Sequence, residues 1–352
     1  MTKRYLLIPA AFAVCLVVGA GIAALAFRGE PTVASQAAFD RDVGSGTIVT
    51  ETTTATATEG DTDSAPHRIL FGARALGHDG RTDAGELARI EGLIGRRFDF
   101  ERFYWHIGDS LPTKEAKESV EKGRVPMISL GSDPYSWAEV ASGAADTQLR
   151  AFFRALKAEG GLFLKAIIGF MNEPESKVGF LGSADEYRAA FRRVVAIARE
   201  VGLPNEWTTF LQSYTWVTRN PSDWWPGDSY VDYLGVQGYG SNPNTCDTRQ
   251  WRSFQATFQG PYDFALEHGK PMLIGEWGQR EDRIDPQRKA DWLREAAAVM
   301  ERDMPLIRIV VYYHSDGRGL CAYPDSWWID TSPQALEAVA AMVKQYSPRT
   351  DR

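Results

Sequence analysis

Two apolar runs in this chain each deliver a carboxylate at the tip. LFLKAIIGF (162–170) leads into Met171-Asn172-Glu173-Pro174, and PMLIGEW (271–277) carries Glu276 just before its end. A lone carboxylate at the end of a buried strand is costly unless it is paired or used. Pro174 lacks an N–H and disfavours helix at the residue before it, so the sequence predicts an extended Glu173. Glu175, two residues on, reads as a surface charge. The interval from Glu173 to Glu276 is roughly three strand–helix units of an eightfold α/β barrel, which would set the two face to face across one mouth. A protonated carboxyl opposite an ionised one is an arrangement that cleaves a glycosidic bond with retention. One gives its proton to the leaving oxygen while the other attacks the anomeric carbon.

The elements that must hold these groups are legible as short apolar runs alternating with capped amphipathic segments. The runs are 68–75, 98–105, 125–131, 162–170, 207–214, 233–239, 271–277 and 307–314. Several are continuous rather than alternating, the pattern of a parallel sheet covered on both faces. Between them, Ser183-Ala-Asp-Glu186 is a capping box and Gly202 a stop signal. Asp285-Pro286 and Ser332-Pro333 each read as an N-cap followed by proline. Asp146 opens a helix with Leu149, Phe152, Phe153 and Leu156 on one face. Eight runs with intervening helices over residues 67–348 predict a (β/α)8 TIM barrel, and no phosphate-binding glycine loop follows the first run to favour a doubly wound sheet.

The strand-tip motifs resemble the clan A glycoside hydrolases, whose retaining members place Asn-Glu after strand four and a second Glu after strand seven. Asn172-Glu173-Pro174 matches the first and Ile274-Gly275-Glu276-Trp277 the second. Within the clan the chain is most similar to family 26, the β-mannanase and related β-glucanase family. WWPGDSYVDYLGVQGYG (224–240) resembles its stretch leading into strand six, and WWIDTSPQALEAV (327–339) its last turn and helix. Where that family usually has His-Glu, this chain has Asn-Glu. The resemblance implies Glu173 as acid/base, Glu276 as nucleophile, Asn172 on the sugar 2-hydroxyl and Tyr239 steadying the nucleophile. It implies an endo-acting hydrolase of a β-linked polysaccharide, of the β-mannan or β-glucan class. A noncatalytic extracellular carbohydrate-binding barrel is the alternative.

Trp105, Trp216, Trp277 and Tyr313 are candidate sugar platforms, since pyranose C–H faces pack on aromatic rings, and equally candidate core residues. His106 and His314 end strands and read as ordinary satisfied histidines or as substrate contacts. No histidine shows HxH or HExxH spacing and no GxSxG elbow occurs, so neither a metal, another cofactor nor a serine nucleophile is expected. A net charge of −7 argues against nucleic acid. Residues 1–28 carry Lys3 and Arg4 ahead of an uncharged run (5–27), which reads as either a signal peptide or a membrane anchor. Either one exports the rest, making it secreted or tethered, with the membrane touched by this segment only. Residues 29–66, rich in Thr, Ala, Gly and acids, read as a disordered linker. Cys246 and Cys321 follow the sixth and eighth runs, and in an exported domain they are expected to pair and brace the mouth; two separate buried thiols are the alternative.

Overall fold

The computed structural model of the chain describes residues 68–213, 220–241, 251–282, 284–316 and 327–346. The N-terminal run and linker, Trp216, Cys246 and Cys321 lie outside the described residues. The apolar runs form nine parallel strands: β1 (Leu70–Ala75), β2 (Phe100–His106), β3 (Val125–Gly131), β4 (Ile167–Phe170), β5 (Glu206–Thr208), β6 (Leu211–Gln212), β7 (Leu234–Tyr239), β8 (Met272–Gly278) and β9 (Ile307–His314). Their order is β5-β4-β3-β2-β1-β9-β8-β7-β6 in one curled sheet with helices outside, a TIM-like α/β barrel.

Two expected runs change character. The first half of LFLKAIIGF is a 3-10 turn (Gly161–Lys165), leaving only Ile167–Phe170 as strand. The run 207–214 is broken into β5 and β6, the two ends of the sheet order. Between them the buried Thr209 hydroxyl exchanges hydrogen bonds with the Gly235 backbone, accepting from its N–H at 3.0 Å and donating to its carbonyl at 2.9 Å. A side chain thus takes over from the main-chain ladder, and no Cβ could fit at Gly235, 1.8 Å from the Thr209 carbonyl.

Alternation along each strand separates two apolar layers. Phe100, Met127, Ile167, Phe210, Leu273, Ile309 and Val311 pack together inside the barrel. Residues such as Phe71, Phe103, Ile128, Ile168 and Val310 face the helices. Both faces are dry, which is why the strands read as unbroken apolar runs.

The helices are α1 (Asp83–Ile94), α2 (Lys114–Glu121), α3 (Trp137–Ser142), α4 (Asp146–Glu159), α5 (Ala184–Val201), α6 (Phe254–Glu267), α7 (Arg288–Arg302) and α8 (Pro333–Tyr346). The expected face of α4 is buried. Ser183 and Glu186 form the capping box of α5, with Gly202 left-handed at its end. Ser332 Oγ accepts from Ala335 N–H at the start of α8. Asp285-Pro286 does not start α7, which begins at Arg288. Asp285 instead accepts from Gln287 N–H in the preceding turn. None of the described helices is long and apolar enough to cross a membrane.

Candidate active site

The inward faces of β2, β7 and β8 supply most of the site. In FERFYWH, Arg102, Tyr104 and His106 alternate with Phe103 and Trp105, whose side chains go to the outer layer. In LGVQGY, Gln237 and Tyr239 share the inner face. On β8 the register slips by one residue: Val236 pairs Ile274, yet Gln237 pairs Glu276. This bulge at Gly275 turns Glu276 inward beside Gln237 and sends Trp277 outward. A Cβ at Gly275 would stand 2.6 Å from the Phe210 ring and 2.8 Å from Arg102 Nη1. Glycine is needed there because ring and guanidinium press against the strand.

Glu276 is buried and accepts from two phenols. Tyr239 donates to Oε2 at 2.6 Å and Tyr104 donates to Oε1. Arg102 Nη1 lies 3.5 Å from Oε1. These are the partners an ionised carboxylate takes. Arg102 is fully buried over the Phe210 ring, 4.0 Å from its centroid, so the barrel's apolar interior is the floor on which the guanidinium rests. Its Nη2 donates to Asn172 Oδ1 at 2.6 Å and to Ser129 Oγ at 2.8 Å. Burial, with the Glu276 charge adding to it, pushes the Tyr104 phenol well above its usual range, and Arg102 opposes this. Tyr104 therefore remains a donor. Its ring reaches an open cleft while its hydroxyl is turned inward.

Glu173 follows β4 on a left-handed backbone, φ 49° and ψ 60°, and Met171 is also left-handed at φ 68°. The extended conformation expected before Pro174 is not what forms. Its neighbours hold it instead: Glu173 N–H donates to Phe210 O at 2.9 Å, and Ser176 N–H donates to Glu173 O at 3.0 Å. Such conformations cost on the order of 1–3 kcal/mol and persist where surroundings over-determine them. Nor is Glu175 a free surface charge; its Oε1 accepts from Gln212 N–H at 2.9 Å, tying the turn after Glu173 to β6. The Gln237 side-chain amide lies 3.0 Å from Glu173 Oε1, and its Nε2 donates to Asn172 Oδ1. Burial raises the Glu173 carboxyl above the usual range and the Glu276 charge raises it further, against a hydrogen bond from Gln212 and the charges of Arg102 and Lys177.

Glu173, Glu276, Asn172 and Tyr239 thus come together, each within one or two contacts of Arg102 or Gln237. The tryptophans fare differently. Trp277 is 2% exposed and packs on Phe254, Trp292 and Tyr312 in the helix layer, so it presents no face to a sugar. Trp105 borders the cleft but its ring is packed against Phe103 and Phe152 at 4% exposure. Both follow an inward residue by one place, and alternation sends them out. Tyr313 is buried with Tyr239 and Trp327. His314 is buried too, its Nδ1 accepting from Ile329 N–H and its Nε2 3.0 Å from Glu86. His106 is half exposed and sits 3.2 Å from Asp133. Arg102, Tyr104, Gln237 and Gln212 were missed by sequence reasoning. For the first three the available signal was a polar residue on the inward phase of a strand.

No family model matches the chain. Among curated proteins it is similar to Endoglucanase H of Acetivibrio thermocellus, 26% identical over 262 residues, which is 70% of this chain and 27% of that protein. It is also similar to a β-1,3-xylanase of Alcaligenes sp., 22% identical over 180 residues, 44% of this chain and 36% of the relative. The chain therefore spans about a quarter to a third of these relatives' lengths. Its fold is that of the catalytic domain of a Bacillus sp. JAMB-750 GH26 endo-β-1,4-mannanase, TM-score 0.52 and 15% identity over 79% of this chain and 86% of the other. A GH26 β-mannanase from Bacteroides ovatus matches with TM-score 0.52 and 15% identity, covering 80% and 89%. These relatives and neighbours are glycoside hydrolases, and the likeness read from the strand-tip motifs, to clan A and family 26, recurs in them.

Proposed function

We propose that this chain is a retaining endo-glycoside hydrolase acting on a β-linked polysaccharide, the premise being its likeness to clan A, family 26-like enzymes. We read β5 and β6 as halves of one strand, which makes the barrel (β/α)8. The observation that carries the reading is the contrast between two neighbouring carboxyls. Glu276 is surrounded by donors, whereas burial and the Glu276 charge favour the protonated form of Glu173. Environments that divide two carboxyls in this way assign an acid and a nucleophile.

In this mechanism Glu276 attacks the anomeric carbon and the glycosidic C–O bond breaks. The Glu173 proton passes to the departing oxygen. Glu173, now ionised, takes a proton from water, whose oxygen displaces Glu276 from the anomeric carbon. Tyr104, Tyr239 and Arg102 fix the attacking carboxylate, and Arg102 also orients Asn172 for the sugar 2-hydroxyl. Export through residues 1–28, with residues 29–66 as a tether, would put this activity outside the membrane.

The test is a panel of β-mannan, mixed-linkage β-glucan and xylan, with the anomeric form of the first product read by NMR. Retention is expected. Inversion, or undiminished turnover by Glu276→Ala, refutes the mechanism. Binding without any product favours the noncatalytic barrel.

A further inference from the structure

Beside the carboxylates lies an open cleft of about 430 Å³, a volume within the range of small-ligand sites. Tyr104 and Asn172, both in the catalytic network, line it together with His106, Asp133, Lys177 and Phe180. Phe180 is 82% exposed on the turn that follows Glu173, and Val178 beside it is 56% exposed. Single exposed apolar residues are ordinary, but Phe180 lines a cleft and sits on a hydrogen-bonded turn. Its N–H donates to Lys177 O at 3.1 Å, Leu181 N–H donates to the same carbonyl at 2.9 Å, and Gly179 N–H donates to Gly182 O. His106 is also built into place. Gly131 leaves room for its ring, since a Cβ there would lie 2.5 Å from Nδ1, the atom that faces Asp133 at 3.2 Å.

We infer that this cleft is a sugar-binding subsite on the leaving-group side, in which Phe180 is the platform for the pyranose C–H face and the His106–Asp133 pair reads its hydroxyls. The inference rests on the hydrolase reading above. Its side is set by Glu173, because the acid delivers its proton to the leaving oxygen and Ser176, Lys177, Phe180 and Leu181, which follow it closely, line the cleft. Tyr239, the other phenol holding Glu276, packs with Tyr313 and Trp327 rather than along the cleft. An apolar ring flanked by an imidazole–carboxylate pair suits a neutral sugar, with one apolar face and hydroxyls at its edge.

The test compares two substrates that differ only beyond the scissile bond. Mixed-linkage β-glucan is paired with β-cellobiosyl fluoride, and β-mannan with β-mannobiosyl fluoride; a fluoride leaves the proposed subsite empty. The full chain carrying Phe180→Ala is expected to lose about tenfold in the ratio of kcat/KM on polymer to kcat/KM on fluoride. Phe180→Trp keeps that ratio within about twofold, and His106→Ala lowers it several-fold. Leu266→Ala, an exposed apolar residue on α6, is the control expected to leave the ratio alone. A ratio unchanged in Phe180→Ala, or lowered equally in Leu266→Ala, overturns the subsite while leaving the hydrolase reading intact. A wild-type protein that turns over the fluorides but no polymer also overturns it. Failure on every substrate overturns the hydrolase reading, and the subsite with it.

Discussion

Gly275→Ala adds one methyl group where the fold has no room. Its Cβ would stand 2.6 and 2.7 Å from Phe210 ring carbons and 2.8 Å from Arg102 Nη1, against ordinary carbon contacts of about 3.5–4.0 Å. Something must move by nearly 1 Å. Phe210 is fully buried in the barrel interior, so overpacking should cost about 1–3 kcal/mol of stability. Arg102 is the more mobile neighbour, and displacing it loosens its 2.6 Å bond to Asn172 and its 3.5 Å approach to Glu276. Hydrogen bonds to charged groups contribute about 1.5–3 kcal/mol. If that much is lost in the transition state, kcat/KM falls roughly 10- to 150-fold. Urea melts and steady-state kinetics on the best polymer of the panel measure both effects. Gly92→Ala is the control, since nothing lies within 4 Å of a Cβ at that helical glycine; it should gain about 0.5–1 kcal/mol and keep full activity. A Gly275→Ala enzyme with kcat/KM within twofold of wild type would refute the claim that the guanidinium and the bulge are mutually positioned.

Tyr104→Phe removes one of two phenolic donors from Glu276 and should lower kcat/KM about tenfold or more without loss of fold, as checked by circular dichroism and kinetics. Lys177→Met removes a positive charge that lowers the Glu173 carboxyl's pKa. The acid then keeps its proton to higher pH, so the basic limb of the kcat/KM profile should move to more alkaline pH; a move toward acid contradicts the assignment of Glu173. Ser183→Ala deletes the cap of α5 and should cost about 1 kcal/mol in denaturant unfolding with activity unchanged.

The strand and helix signals read well because they are local. Continuous apolar runs follow from strands buried on both faces, and capping boxes from backbone donors that need partners within one turn. Glu173, Glu276, Asn172 and Tyr239 were visible because polar groups at the ends of such runs are conspicuous. Trp105 and Trp277 misled because residue type alone does not tell which face of a strand it occupies. At Trp277 the face was set by a bulge, a pairing feature between β7 and β8. Glu175 looked like a surface charge for a related reason: its backbone partner, Gln212, is distant in the chain.

What the sequence determined by itself was the alternation of elements and the two acidic strand tips, since periodicity, caps and the cost of burying charge act over a few residues. Tertiary structure alone decided that Arg102 rests on Phe210 and joins Asn172 to Glu276, and that Glu173 adopts a left-handed backbone held by Phe210 and Ser176. These depend on which strands become neighbours and in what register. A mid-strand arginine has no local signature of its partners; only closing the sheet brings a carboxylate, an amide and an aromatic floor within its reach.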